Sequence, residues 1–109
     1  MLIKLEQELT LKQILESNPQ KVLCLYFTAT WCGPCKAISP EVDKLNTAYN
    51  DNVLFIKVDV DNFEDLTEEC GVSAMPTFVL YKEGKEIDRL QGADKKNLEM
   101  KIAVACSTF

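Results

Sequence analysis

The sequence has no histidine, only four glycines and four prolines in 109 residues, and no apolar run long enough to cross a bilayer. Each shortage removes a class of function. Without histidine, a zinc site would have to be built almost wholly from cysteine. No Gly-rich dinucleotide fingerprint is present, so no bound cofactor is expected. Basic residues are outnumbered 17 to 12, for a formal charge of −5, which argues against nucleic-acid or anionic-membrane partners. There is no repeat, low-complexity stretch or linker, and the length suits a single domain over residues 1–109. The first eighteen residues carry Lys4, Glu6, Glu8, Lys12 and Glu16. They do not read as a secretory signal, and the expected compartment is the cytoplasm.

What is present is 47% hydrophobic residues in an alternating pattern. Leu2–Leu5 reads as a short strand. Thr10 with Gln13 makes a capping box for a helix faced by Leu11, Ile14 and Leu15, ended by Asn18-Pro19. Val22 to Phe27 is apolar on both parities, as in a strand covered on both faces. Cys35, Ile38, Val42, Leu45 and Tyr49 step by three and four along a helix that Pro40 should kink. Val53–Val58 is another strand. Asn62 is the expected cap of a short helix bearing Phe63, Leu66 and Cys70, with Gly71 past its end. Thr77–Tyr81 and Glu86–Leu90 flank the hairpin turn Lys82-Glu83-Gly84-Lys85. Gly92 breaks the chain, and Asp94 caps a last helix with Leu98, Ile102 and Ala105 on its face. The order β-α-β-α-β-α-β-β-α implies an α/β fold of three layers around a mixed sheet.

Five cysteines, Cys24, Cys32, Cys35, Cys70 and Cys106, form no even framework of staples. Only Cys32 and Cys35 are close, and they sit where a buried strand hands over to a helix. At a helix start, residues three apart share a face, so the two sulfurs can meet. The helix N-terminus favours a thiolate at Cys32. Pro34 suits the first turn, where its missing donor costs nothing. A thiol of pKa about 8.5 is ~3% ionised at pH 7, and one near 7 is roughly half ionised. The ~15-fold gain in thiolate is offset by a ~5-fold loss of nucleophilicity. The net gain in attack is therefore a few-fold, while Cys32 also becomes a better leaving group. Such a site suits two-way exchange. Cys32 attacks a substrate disulfide, and Cys35 then displaces the substrate, leaving a Cys32–Cys35 bridge. Metal binding is the competing reading of a C-x-x-C, but the remaining cysteines form no second pair.

Ala29-Thr30-Trp31-Cys32-Gly33-Pro34-Cys35-Lys36 resembles the active-site motif of the thioredoxin family. Val58-Asp59-Val60-Asp61, Ala74-Met75-Pro76-Thr77-Phe78, Gly84 and Gly92-Ala93 follow in that family's order and spacing. The resemblance implies the thioredoxin fold, five strands flanked by four helices. It also implies a monomeric protein-disulfide reductase that serves electron transport and cell redox homeostasis. Its substrates would be disulfide-containing proteins, and a thioredoxin reductase, an NADPH-dependent flavoenzyme, would recharge it. Pro76 is then expected to be cis and beside the cysteines. Trp31, Gly33, Pro34, Met75, Pro76, Gly92 and Ala93 would form a groove for substrate chains. A different class of function, a binding module that uses the groove without turnover, is the alternative.

Tyr26 departs from the family, which usually carries a buried aspartate six residues before the first cysteine. A tyrosine cannot serve there as a carboxylate base. Lys57, at a position often near that acid, loses its obvious partner. Tyr26 is either core packing or a hydroxyl that holds a relaying water, and slower activation of Cys35 near neutral pH is expected. Cys24 reads as inert and buried. Cys70 is either a packed helix-end residue or a regulatory thiol near the docking surface, and Cys106 belongs to the last helix.

Overall fold

The computed structural model describes residues 2–7 and 9–108. Met1, Glu8 and Phe109 lie outside the described residues, and with them the part of the N-terminal reading that uses Glu8. Nine elements follow in the expected order: β1 (Ile3–Lys4), α1 (Leu11–Ser17), β2 (Val22–Thr28), α2 (Gly33–Ala48), β3 (Val53–Asp59), α3 (Glu64–Glu69), β4 (Thr77–Lys82), β5 (Lys85–Gln91) and α4 (Lys95–Thr108). The sheet runs β1-β3-β2-β4-β5. β1, β3 and β2 are parallel, whereas β4 is antiparallel to both β2 and β5. This is the thioredoxin fold, a mixed five-stranded sheet with four helices.

Strand alternation divides the core. Leu23, Leu25 and Phe27 of β2 pack with Ile14 of α1 and Leu66 of α3. Val22, Cys24 and Tyr26 pack on the other side with Ile38 and Val42 of α2 and Leu98 and Ile102 of α4. Every residue of β2 is buried because it lies at the centre of the sheet with helices on both faces. Among the described residues, no helix is long and apolar enough to cross a membrane.

The local signals act as elementary chemistry requires. The Thr10 hydroxyl accepts from the Gln13 N–H at 3.2 Å, and the Gln13 side chain accepts from the Thr10 N–H at 2.9 Å. Asp94 Oδ1 accepts from the Asn97 N–H at 3.1 Å, starting α4. α2 runs continuously through Pro40. The hairpin loop is only Glu83-Gly84, with φ of 52° and 81°, as a two-residue turn between twisted strands demands.

One cap is corrected. Asn62 does not cap α3; Phe63 occupies that position with no side-chain bond. The N–H groups of Asn62 and Phe63 both donate to the Asp59 carbonyl at 3.1 Å, so Asn62 is held in the turn leaving β3. Glu64 and Asp65 supply negative charge to the first turn instead. The other end is as expected. Gly71, at φ 68°, donates to the Glu68 carbonyl, and Val72 donates to Thr67. That is the double closure of a glycine-terminated helix.

Candidate active site

β2 ends at Thr28, and four residues later the chain enters α2 with Cys32 as its N-cap. A cap position requires extended backbone, and Cys32 has φ −87° and ψ 110°. Its Sγ accepts from the Cys35 N–H at 3.2 Å, so sulfur does here what a hydroxyl or carboxylate oxygen does at other helix starts. The Cys32 sulfur therefore lies at the positive end of a 16-residue helix. Pro34 occupies the first turn. Cys32 and Cys35 are joined by a disulfide, with their Cα atoms 5.3 Å apart. Cys32 is 4% exposed and Cys35 2%, so both members of the pair are buried.

The residues expected around the pair come from four further segments. The Met75–Pro76 peptide bond is cis, as expected. The Met75 carbonyl oxygen lies 3.7 Å from Cys32 Sγ. Gly92, at φ 105°, donates its N–H to the Pro76 carbonyl at 2.8 Å, which ties the end of β5 to the cis-proline turn. Met75 and Gly92 are half-buried, and Gly33, Pro34 and Ala93 are exposed. A side chain on Gly33 would meet no atom within 4 Å, which leaves open surface beside the cysteines. Trp31 is 64% exposed, an unusual position for the largest apolar side chain. Its Nε1 donates to Asp61 Oδ2 at 2.8 Å, and the Asp61 N–H in turn donates to Asp59 Oδ1 at 2.9 Å.

Behind the pair, Tyr26 is 2% exposed and stacks on Phe78 with ring centroids 4.9 Å apart. Its hydroxyl donates to the Cys35 carbonyl at 3.2 Å. Burial pushes the hydroxyl's pKa above its ordinary value. Tyr26 is thus core packing with its one polar atom committed to the backbone. Lys57 lies opposite it in the β2–β3 register and is half-buried. Both line an open cavity of about 610 Å³ that also reaches Cys35, Ser39, Asp43 and Asp59.

The other cysteines stand apart. Burial pushes the Cys24 thiol far up. Cys70 is buried and receives a hydrogen bond from the Tyr81 hydroxyl at 3.6 Å, with its pKa raised by burial. The packed reading of Cys70 holds. Cys106 packs, half-buried, against the α2–α4 side of the core. Among the described residues, no group of three metal-ligating side chains converges.

In the sequence Asp59 and Asp61 stand out only as markers of the family resemblance, and their contacts are not legible there. The alternation Val58-Asp59-Val60-Asp61, apolar between acids at a strand end, was the available signal. It does not say which side chain each acid meets.

A dithiol one helical turn long, closed into a disulfide at a helix N-terminus beside a cis-proline turn, defines a thiol–disulfide exchange protein. The comparisons agree. The thioredoxin family model matches residues 3–104. Horse thioredoxin is 41% identical over 102 residues, covering 94% of this chain and 96% of that protein. Thioredoxin H2 of Arabidopsis thaliana is 48% identical over 96 residues, covering 88% and 70%. Among solved structures, thioredoxin NaTrxh from Nicotiana alata superposes with a TM-score of 0.89 at 40% identity, covering 96% and 92%. The chain belongs to the thioredoxin family, and its activity is that of a protein-disulfide reductase.

Proposed function

We propose that Cys32 is the attacking thiolate and Cys35 the resolving one, in a cycle that reduces protein disulfides and is recharged by a thioredoxin reductase. The carrying observation is the N-cap sulfur of Cys32, which accepts the Cys35 N–H at 3.2 Å. A backbone donor and a helix dipole directed at one sulfur stabilise its anion without any cationic side chain. When Cys35 then attacks Cys32 Sγ, the substrate sulfur leaves and the pair closes into its disulfide, so reduction of substrate and oxidation of the pair use one geometry.

Exposed Trp31, Gly33, Pro34 and Ala93, with half-buried Met75 and Gly92, supply the docking groove. An extended substrate chain pairs with the backbone at Met75 and crosses Cys32. Lys57 and Tyr26 support the pair from behind, and Pro76 supports it from the side. The protein works as a monomer carrying electrons in the cytoplasm, where Cys24, Cys70 and Cys106 stay reduced.

Reduction of insulin disulfides in the presence of dithiothreitol tests the central assignment. The wild type should accelerate precipitation of the insulin chains, and Cys32→Ser should give only the dithiothreitol rate. Acceleration by Cys32→Ser equal to wild type would remove Cys32 from its role. A wild type that accelerates nothing would favour a groove used for binding alone.

A further inference from the structure

When Cys35 displaces the substrate from Cys32, its thiol must lose a proton. Cys35 is 2% exposed, and burial of a thiol in apolar surroundings opposes ionisation. A base must therefore reach it through the space that adjoins it. Tyr26 is the nearest candidate by position, but its proton is donated to the Cys35 carbonyl, which leaves the hydroxyl neither basic nor free to turn.

The cavity beside Cys35 holds the alternatives. At about 610 Å³ it has room for several waters, each occupying ~30 Å³ in the liquid. The β2–β3 register pairs Tyr26 with Lys57 and Thr28 with Asp59. Strand alternation puts all four on the side of the sheet covered by α2. Two carboxylates line the space, Asp43 of α2 and Asp59 of β3, facing the cations Lys4 of β1, Lys36 of α2 and Lys57 of β3. Asp43 is exposed and its backbone lies two turns beyond Cys35, ~12 Å along the helix at 1.5 Å per residue; its charge acts on the Tyr26 hydroxyl, and no bond among the described residues holds its carboxylate in place. Asp59 is half-buried at the end of β3. One of its oxygens is pinned by the Asp61 N–H at 2.9 Å, so the carboxylate is held in place while the second oxygen can take a proton.

We propose that Asp59 is the proton relay for Cys35, receiving the thiol proton through water in this cavity. This rests on the roles proposed above for Cys32 and Cys35. In the step, the Cys35 S–H proton passes through water to the Asp59 carboxylate. The Cys35 sulfur forms a bond to Cys32 Sγ, and the bond from Cys32 to the substrate sulfur breaks. The electron pair leaves on the substrate sulfur, which is protonated by solvent, and Asp59 returns its proton to water. The substrate is reduced and the dithiol is oxidised, with no other reactant.

Reaction of the reduced protein with 5,5′-dithiobis(2-nitrobenzoate), followed by stopped flow, separates the two steps. The first thionitrobenzoate is released by attack of Cys32 and the second by attack of Cys35. Asp59→Asn should leave the first phase unchanged, which also reports an intact fold. It should slow the second at least about tenfold at pH 7, the modest end of general-base effects because water intervenes. The difference should close at alkaline pH, where the thiol ionises unaided. Asp59→Glu should restore most of the rate, and Asp43→Asn should behave as wild type. A second phase in Asp59→Asn with the wild-type rate and pH profile overturns the relay and leaves the exchange reading standing. Loss of the first phase in wild type overturns both.

Discussion

Replacing Tyr26 by phenylalanine removes one oxygen from the middle of the sheet and leaves the ring stacked on Phe78. The lost interaction is the 3.2 Å bond from the hydroxyl to the Cys35 carbonyl. That carbonyl lies in the first turn of α2 and keeps its helical partner four residues on. No buried acceptor is stranded, so the loss is that of one ordinary hydrogen bond, about 1 kcal/mol. Unfolding entropy near 2.1 cal/mol/K per residue makes this about a 4 °C fall in Tm, measurable by calorimetry on the oxidised form. Tyr26→Ala also deletes the ring and should cost about 3–5 kcal/mol. Because the hydroxyl is committed to backbone, Tyr26→Phe should leave the pH profile of the Cys35 step unchanged. A Tyr26→Phe protein in which only that step slows at neutral pH would make the hydroxyl part of the relay. The reasoning that assigned it to packing would then be wrong.

Two further outcomes follow from the contacts of single carboxylates. Asp61→Ala frees the Trp31 indole from its 2.8 Å bond; at an exposed site this is worth about 0.5–1 kcal/mol, a roughly 2–5-fold loss of kcat/KM in insulin reduction. Tryptophan anisotropy should fall with it and recover in Asp61→Asn, and an unchanged anisotropy would show that packing alone holds the ring. Partial burial pushes the Asp88 carboxyl up, but the bonds from Lys101 at 2.9 and 3.1 Å and from the Arg89 N–H outweigh it and hold it below its ordinary value. A carboxylate depressed in the folded state contributes stability above its unfolded pKa and loses it as pH falls through the folded one. Asp88→Asn should thus lower the stability read from urea unfolding at pH 7 by less than about 1 kcal/mol, since the pair is screened. The gap should close below about pH 4, and a gap that persists in strong acid would rule out an ionic origin.

Much of the architecture was readable from short-range chemistry. Thr10, Gln13, Asp94 and Gly71 end or begin helices through bonds that span three to five residues, and such bonds are written in local sequence. The two-sided burial of β2 was readable because no polar residue interrupts Val22–Phe27. At Asn62 the intrinsic capping preference is overridden by the turn on the Asp59 carbonyl that precedes α3. The cysteine pair was readable because its two members are neighbours in sequence. The back of the site was not. That the Tyr26 hydroxyl meets the Cys35 carbonyl, or that Asp59 opens onto the space beside Cys35, depends on the register of β2 with β3 and on how α2 lies across them. Neither is encoded within any one segment. Tyr81 and Cys70 are a similar case, eleven residues apart and joined only once β4 lies against the end of α3.

The sheet's two margins differ from its centre in a way that matters for a protein whose substrates are disulfides of other proteins. β5 carries Lys85, Glu86, Asp88 and Arg89 along one rim, and β1 at the other is two residues long. Charged or abbreviated rims discourage a stray strand from zipping on and starting an aggregate. A substrate chain is thereby denied a long, sticky landing strip along either rim.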